Sequence, residues 1–372
     1  MKTILALALS LASGGLLSAQ TTWVVDAAGG SGSQFTEIQP AVDVAVDGDR
    51  IVVRSGLYTG FSIDGEALAV LAEPGANLFG GPDVRNTSAS QEVVLAGFTG
   101  FGGTLFLGAN IANCAGRVLF EGMEGTSWQI TDSADVRVSQ CRMAGAVTVQ
   151  RSRLTMTDSV VSGGPNNLNN EPALDVSDSR VTLARCSVSG QSQLLRLPGT
   201  PAVVVHAPSV LTLTGDGNRG VAAGFFGSTP LSAIVGDGTV IRDPRVRVTG
   251  NAGAPGVSVG VDRVEHVPAL QALGAPVGST VEVDLAGLPG ESWFLVFGLP
   301  GTPLELPGIR GELGLSLPLV TEQGVFGAQS VHRSILVAPG LPLGFQLCWQ
   351  ALTTDGQGGF VLSNHATYAR VR

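Results

Sequence analysis

Few residues in this chain are of a type that does chemistry. Its four histidines, His206, His266, His332 and His365, are scattered, with no i, i+4 pair and no cysteine at metal-ligand spacing. No metal or cofactor is therefore expected. Lys2 is the only lysine and lies in the leader, so no lysine remains as a base or Schiff-base former. Polar side chains concentrate instead in two short stretches. One carries Asn166, Asn167, Asn169, Asn170 and Glu171, the other Gln191, Gln193 and Arg196. Amides offer donors and acceptors together, which suits sugar hydroxyls; the plainer reading is that Asn-rich segments turn easily.

A repeat positions those stretches. Val149, Ser152, Leu154, Met156, Ser159, Val161 and Gly163 recur as Val176, Ser179, Val181, Leu183, Cys186, Val188 and Gly190, at a constant offset of 27. An earlier copy precedes at an offset of 18, with Val136, Val138, Cys141, Met143 and Gly145 under Leu154, Met156, Ser159, Val161 and Gly163. Units this short cannot each bury a core and must stack, which predicts a solenoid with three short strands per coil. Alternation stacks Val136, Leu154, Val181 and Leu211 inward. It turns outward Gln129, Thr148, Asp175 and Val204 on the first strand, Arg137, Thr155, Thr182 and Thr212 on the second, and Arg142, Val160 and Ser187 on the third. Residues 164–172 and 191–201 are insertions at one corner of successive coils, a common place for a binding face.

Composition agrees. Charged residues are 14%, and 52 glycines with 20 prolines suit many strands and turns. A net charge of −9 disfavours nucleic acid. Residues 1–19 read as a secretory signal, with Lys2 before an apolar run that Gly14 and Gly15 interrupt. That predicts an extracellular or cell-surface protein with no membrane span in the mature chain. Export invites disulfides, but Cys141 and Cys186 hold one repeat position two coils apart, about 9–10 Å, beyond the reach of about 7 Å that a disulfide allows. They are expected free and buried, with no bridge between Cys114 and Cys348.

After the signal, Thr36 and Gln39 have the form of a capping box opening a short helix, ended at Asp47-Gly48. The run 35–65 resembles the N-terminal cap and first coil of right-handed parallel β-helix proteins, the pectin-lyase-like group, through Phe35, Ile38, Gln39, Ala41, Ala45, Gly48, Asp49, Ile51, Val53, Gly56 and Tyr58. The resemblance implies a fold that hosts lyases, hydrolases, esterases and adhesins. Enzymes of the group use acidic pairs, carboxylate-held calcium or a base on the outward face of one sheet, whereas here the outward positions offer only Asp175. Arg242-Asp243-Pro244-Arg245-Val246-Arg247 resembles the R-x-P-x-x-R phrase of pectate lyases. That resemblance implies Arg242 as base and Arg247 as a substrate-carboxylate ligand. The acidic cluster that should accompany them is missing, and an arginine stays protonated near neutral pH.

Beyond a linker expected over 251–262, Pro-Gly turns separate seven or so short strands to 372, which predicts an antiparallel β-sandwich. Gly287-Leu288-Pro289-Gly290 and Leu362-Ser363-Asn364 resemble phrases of C-terminal domains in secreted proteins of environmental bacteria. The expectation is thus an all-β chain: a right-handed parallel β-helix over 20–250 with an N-terminal capping helix, then a small β-sandwich over 263–372. It would present a rigid surface to polysaccharide or a cell-envelope component without catalysis. A divergent polysaccharide lyase or glycoside hydrolase is the alternative.

Overall fold

The computed structural model describes residues 20–100, 108–163, 171–191, 199–224, 230–273, 280–327, 330–336, 346–355, 358–364 and 366–369. The signal region lies outside them. Each coil lays one strand in each of three parallel sheets. The eleven-stranded sheet runs from Thr22–Val25 to Val261–Val264, and the nine-stranded sheet from Ser62–Asp64 to Val257–Ser258. A six-stranded sheet runs from Glu124–Gly125 to Arg247–Thr249, and Gly56–Thr59, Ala76–Phe79 and Thr99–Gly100 form a three-stranded sheet in the first coils. The repeat register is as expected: Val149 pairs with Val176, and Val136, Leu154, Val181 and Leu211 form one stack. Apolar residues alternate with polar ones because each strand buries one side against the other sheets. A single continuous core results, from Val25 to Val246.

Two corners of the central coils are built by a two-residue device. Between the nine- and eleven-stranded sheets, Asn113, Asp132, Arg151 and Asp178 adopt left-handed φ of 57°, 51°, 46° and 48°. Next in the chain come Cys114, Ser133, Ser152 and Ser179, all buried. Ser152 Oγ accepts from Ser133 N (3.0 Å), Ser179 Oγ from Ser152 N (3.0 Å) and Ser209 Oγ from Ser179 N (3.2 Å). The hydroxyl thus fills a backbone donor that the bend takes out of the ladder. The second corner repeats the scheme with Gln140, Asp158 and Arg185 left-handed before Cys141, Ser159 and Cys186. Cys141 and Cys186 are free and buried, and burial pushes both thiols up to about 12. The largest length differences fall at the third corner, where the chain returns to the nine-stranded sheet; the second also varies, since Leu183 and Val188 stand five positions apart and their partners Leu213 and Val221 eight.

The ends differ from expectation in detail. The helix spans Ile38–Val44 with Glu37 as N-cap, and no side chain caps it. Thr36 is therefore not the cap. Gln39 is turned instead to the first coil, taking Ser62 N at 2.7 Å and donating to Ser62 O at 3.1 Å. Asp49 holds Thr21 N, Val46 N and Trp23 Nε1, which ties the helix exit to the first strand. Where a linker is expected over 251–262, the chain adds one more rung: Ile234 pairs with Val257 and Val240 with Asp262, both parallel. Its glycines and prolines make corners of a coil.

Beyond residue 268 the sheets become antiparallel. Ala269–Leu273, Thr280–Ala286 and Ser330–Leu336 form one, and a six-stranded sheet around Ser292–Glu305, Glu312–Val325 and Gln346–Thr354 forms the other. They share a core of Leu270, Val281, Val283, Leu285, Trp293, Phe326 and Trp349.

Candidate functional site

Two outward faces of the solenoid could carry a site. On the eleven-stranded sheet, one outward column reads Glu92, Arg117, Asp135, Arg153 and Arg180. Arg117 bridges Glu92 (2.6 Å) and Asp135 (3.0 Å), and Arg137 chelates Asp135 with two bonds of 3.0 Å. The C-terminal region closes over this face. Gly301 O accepts from Arg117 (2.9 Å) and Arg137 (3.3 Å), and Glu312 takes Arg153 (3.1 Å) and Arg180 (2.8 Å). Arg137, though outward by register, is only 3% exposed.

The face of the nine-stranded sheet has a different make-up. Its first outward column is Ser62, Asp83, Asn110, Gln129, Thr148, Asp175 and Val204. The second is Asp64, Arg85, Ala112, Thr131, Gln150 and Ser177. Every member is half-buried or exposed. Charge gathers at the ends: Asp83 pairs with Arg85 and accepts from Asn110 Nδ2 at 2.9 Å, while Asp175 Oδ1 lies 3.1 Å from His206 Nε2. Gln129, Thr148, Thr131 and Gln150 between them leave a neutral strip of amides and hydroxyls, with one rung every 4.7–4.9 Å or so.

Of the amide stretches, Asn166, Asn167, Asn169, Asn170, Gln193 and Arg196 lie outside the described residues. Glu171 is exposed, at the entry to Leu174–Ser177 of the nine-stranded sheet. Gln191 is 2% exposed. Its backbone N–H donates to Thr200 Oγ1 at 2.8 Å and closes the base of its loop. The described ends of the two stretches lead into Leu174–Ser177 and Val203–Val205, neighbouring strands of the nine-stranded sheet.

Arg242 and Arg247 are not brought together. Arg247 is exposed on the solenoid's six-stranded sheet, whereas Arg242 belongs to the eleven-stranded one. Arg242 sits under Leu213 in an inward column and forms a two-bond pair with Asp262, of 2.9 and 3.0 Å, where the core ends. The residue between them in sequence is the hub: Asp243, fully buried, accepts from Arg245 (2.8 and 3.0 Å), Val267 N (2.9 Å) and His266 Nδ1 (2.8 Å). Burial alone would raise its carboxyl, but the bonds from His266 and Arg245 and the Arg245 charge prevail and bring it down to about 2. On its other side, His266 Nε2 is 3.0 Å from Glu291 Oε2, within ion-pair distance although its N–H is not aligned for a hydrogen bond.

His332 lies 2.6 Å from Asp284 and 2.8 Å from Glu282, so the three described histidines each face carboxylates, which scattered sequence positions do not announce. His206 was within reach of the register, since it falls one residue past Val205 in the column of Gln150 and Ser177. The Asp243–His266–Glu291 set had no such signal, being drawn from three segments. Among the described residues no cluster of three or more His, Cys, Asp or Glu is arranged to hold a metal, and no helix is long and apolar enough to cross a membrane.

The architecture defines the class: an all-β chain of stacked parallel sheets in the manner of a β-helix, followed by a separate antiparallel region. No known protein family matches the chain, and no curated protein matches it either.

Proposed function

We propose that this is a secreted β-helix protein that presents the nine-stranded face, flanked by the loops 164–172 and 191–201, to a polysaccharide or cell-envelope glycan and holds it without catalysis. One observation carries the reading. The neutral strip Gln129, Thr148, Thr131 and Gln150 is open, regular and held by a rigid sheet, while the opposite charged face is taken up by the C-terminal region. Amides and hydroxyls repeated along an axis match the repeated hydroxyls of an extended glycan. The test is a glycan array probed with the chain from residue 20, with reducing-end and unsaturated-product assays run in parallel. Binding without product formation is the expected result. Removal of 164–172 should abolish binding and leave the coil intact, and unchanged binding would remove that corner from the site.

A divergent lyase or hydrolase is the second reading, and His206 beside Asp175 favours it. A carboxylate 3.1 Å from an exposed imidazole can orient it as a base or acid at the end of the strip. Unsaturated or reducing-end product that His206→Ala abolishes would establish this reading against the first.

A further inference from the structure

A cleft of about 310 Å³ lies where the last coils meet the C-terminal region, lined by Arg185, Asp216, Asn218, Arg245, Asp284 and Ser330. It draws on both regions. Arg185 follows the strand Arg180–Ala184 at a left-handed corner, whereas Asp284 and Ser330 stand on the neighbouring strands Thr280–Ala286 and Ser330–Leu336. Its volume is near the lower end of the range of roughly 300–1,000 Å³ typical of ligand pockets, so a small occupant fits.

The lining is pre-set by its own ion pairs. Arg185 commits Nε to Asp158 (3.0 Å) and Nη1 to Asp216 (3.0 Å), leaving Nη2 without a partner among the described residues. Arg245 is held by Asp243 through Nε and Nη2, and its Nη1 reaches Gly287 O at a long 3.3 Å. Asp284 Oδ1 accepts from His332 Nδ1 (2.6 Å), and its Oδ2 has no hydrogen-bond partner among the described residues. Asn218 donates through Nδ2 to Asp216, and its side-chain oxygen has no partner among the described residues. Donors and acceptors therefore alternate around one small space, on side chains whose orientation is already fixed.

Charge narrows the occupant. Arg185, Arg219 and Arg245 face Asp158, Asp216, Asp243 and Asp284 in and just behind the lining. Each of the four carboxylates already has a basic partner, Arg185 for Asp158 and Asp216, Arg245 for Asp243 and the His332 imidazole for Asp284, so an anion gains no net attraction. The guanidinium groups in turn deny a bare cation its oxygen cage. What remains is a neutral ligand with many hydroxyls.

We propose that this cleft binds a single uncharged pyranose, clasped between the solenoid and the C-terminal region. It is a site apart from the nine-stranded face, so either can fail while the other stands. The test uses the full chain and saturation-transfer NMR with calorimetry. The neutral probes are methyl α-glucoside, methyl β-galactoside, methyl α-mannoside and N-acetylglucosamine; galacturonate and inorganic phosphate are the charged comparators. At least one neutral sugar should saturate, with Asp284→Ala and Ser330→Ala each weakening it by about fivefold, the loss of one hydrogen bond. Both residues are partly exposed, and circular dichroism verifies that the variants fold. Three results would each overturn the assignment: no neutral sugar bound, tighter binding of phosphate or galacturonate, or affinities that both substitutions leave unchanged.

Discussion

The eleven- and nine-stranded sheets share the same coils, the same inward alternation and two of the same kind of corner, yet their outward faces are opposites. One carries a column of alternating charge, Glu92, Arg117, Asp135, Arg153 and Arg180, which the C-terminal region completes with Glu312 and the Gly301 carbonyl. The other carries amides and hydroxyls with no protein laid over them among the described residues. Arginine buried to 3% exposure persists only if paired, so the first face is built for a partner whose geometry is fixed. Hydroxyls and amides lose little in water and can be exchanged for ligand groups at small cost. The difference teaches that outward register alone does not mean exposure: the rung sets direction, and the rest of the chain decides what is covered.

Several substitutions would break or sharpen this contrast. The largest effect is expected from Arg137→Ala, which leaves Asp135 buried without one of its partners. The cost is about 3–5 kcal/mol, read as a lower denaturant midpoint for release of the C-terminal region, with new proteolysis near residues 265–268. Asp243→Asn strikes the other end of the junction and should cost about 1.5–3 kcal/mol, the worth of hydrogen bonds to a charged group. The Asp243 carboxyl lies below its ordinary 3.8, at about 2. Its stabilisation is thus complete above 3.8 and is lost as pH falls through about 2. Across that window the wild type should lose more stability than the Asn variant, in which Asp49 and Asp216, also held below 3.8, still contribute. Ser152→Ala removes the acceptor of Ser133 N at the corner joining the two faces and should cost about 1–3 kcal/mol, visible as faster amide exchange at Ser133. The smallest effect on stability belongs to Gln129→Ala and Thr148→Ala, within about 0.5 kcal/mol. Glycan retention should nonetheless fall with each. A loss of stability comparable to that of Arg137→Ala would erase the distinction between the faces.

Sequence reached the solenoid because its information is local and periodic. Val149 over Val176 and the Leu154 stack follow from offsets alone, and so does the outward column Gln129, Thr148, Asp175 and Val204. The cover over Arg137 was not legible, because it depends on Gly301 and Cys348, more than 160 residues away in the chain. The Gly-rich phrase 249–256 reads as a linker by composition, but the same residue types serve corners, and only pairing of Val240 with Asp262 distinguishes the two. Arg242 illustrates a third limit. Its motif suggested chemistry on an outward face, whereas its register column points inward, under Leu213, where the apolar stack gives way to an ion pair that faces water. Terminal units of a stacked array need a polar surface of this kind.

The serine corners also give the solenoid a direction in time. Each buried hydroxyl accepts a backbone donor from the coil before it: Ser152 from Ser133, Ser179 from Ser152, Ser209 from Ser179. A coil's own bend is therefore left with an unfilled N–H until the following coil is laid down. A chain emerging from its N-terminus would order with a lag of one rung, each new turn ratifying the last. Ser209 ends the sequence of dependence, because its N–H is taken within its own turn by His206 O at 2.8 Å. Chains truncated after Gly190 should accordingly keep their early rungs protected from exchange and fray at Ser179, the first corner whose acceptor has not yet been made.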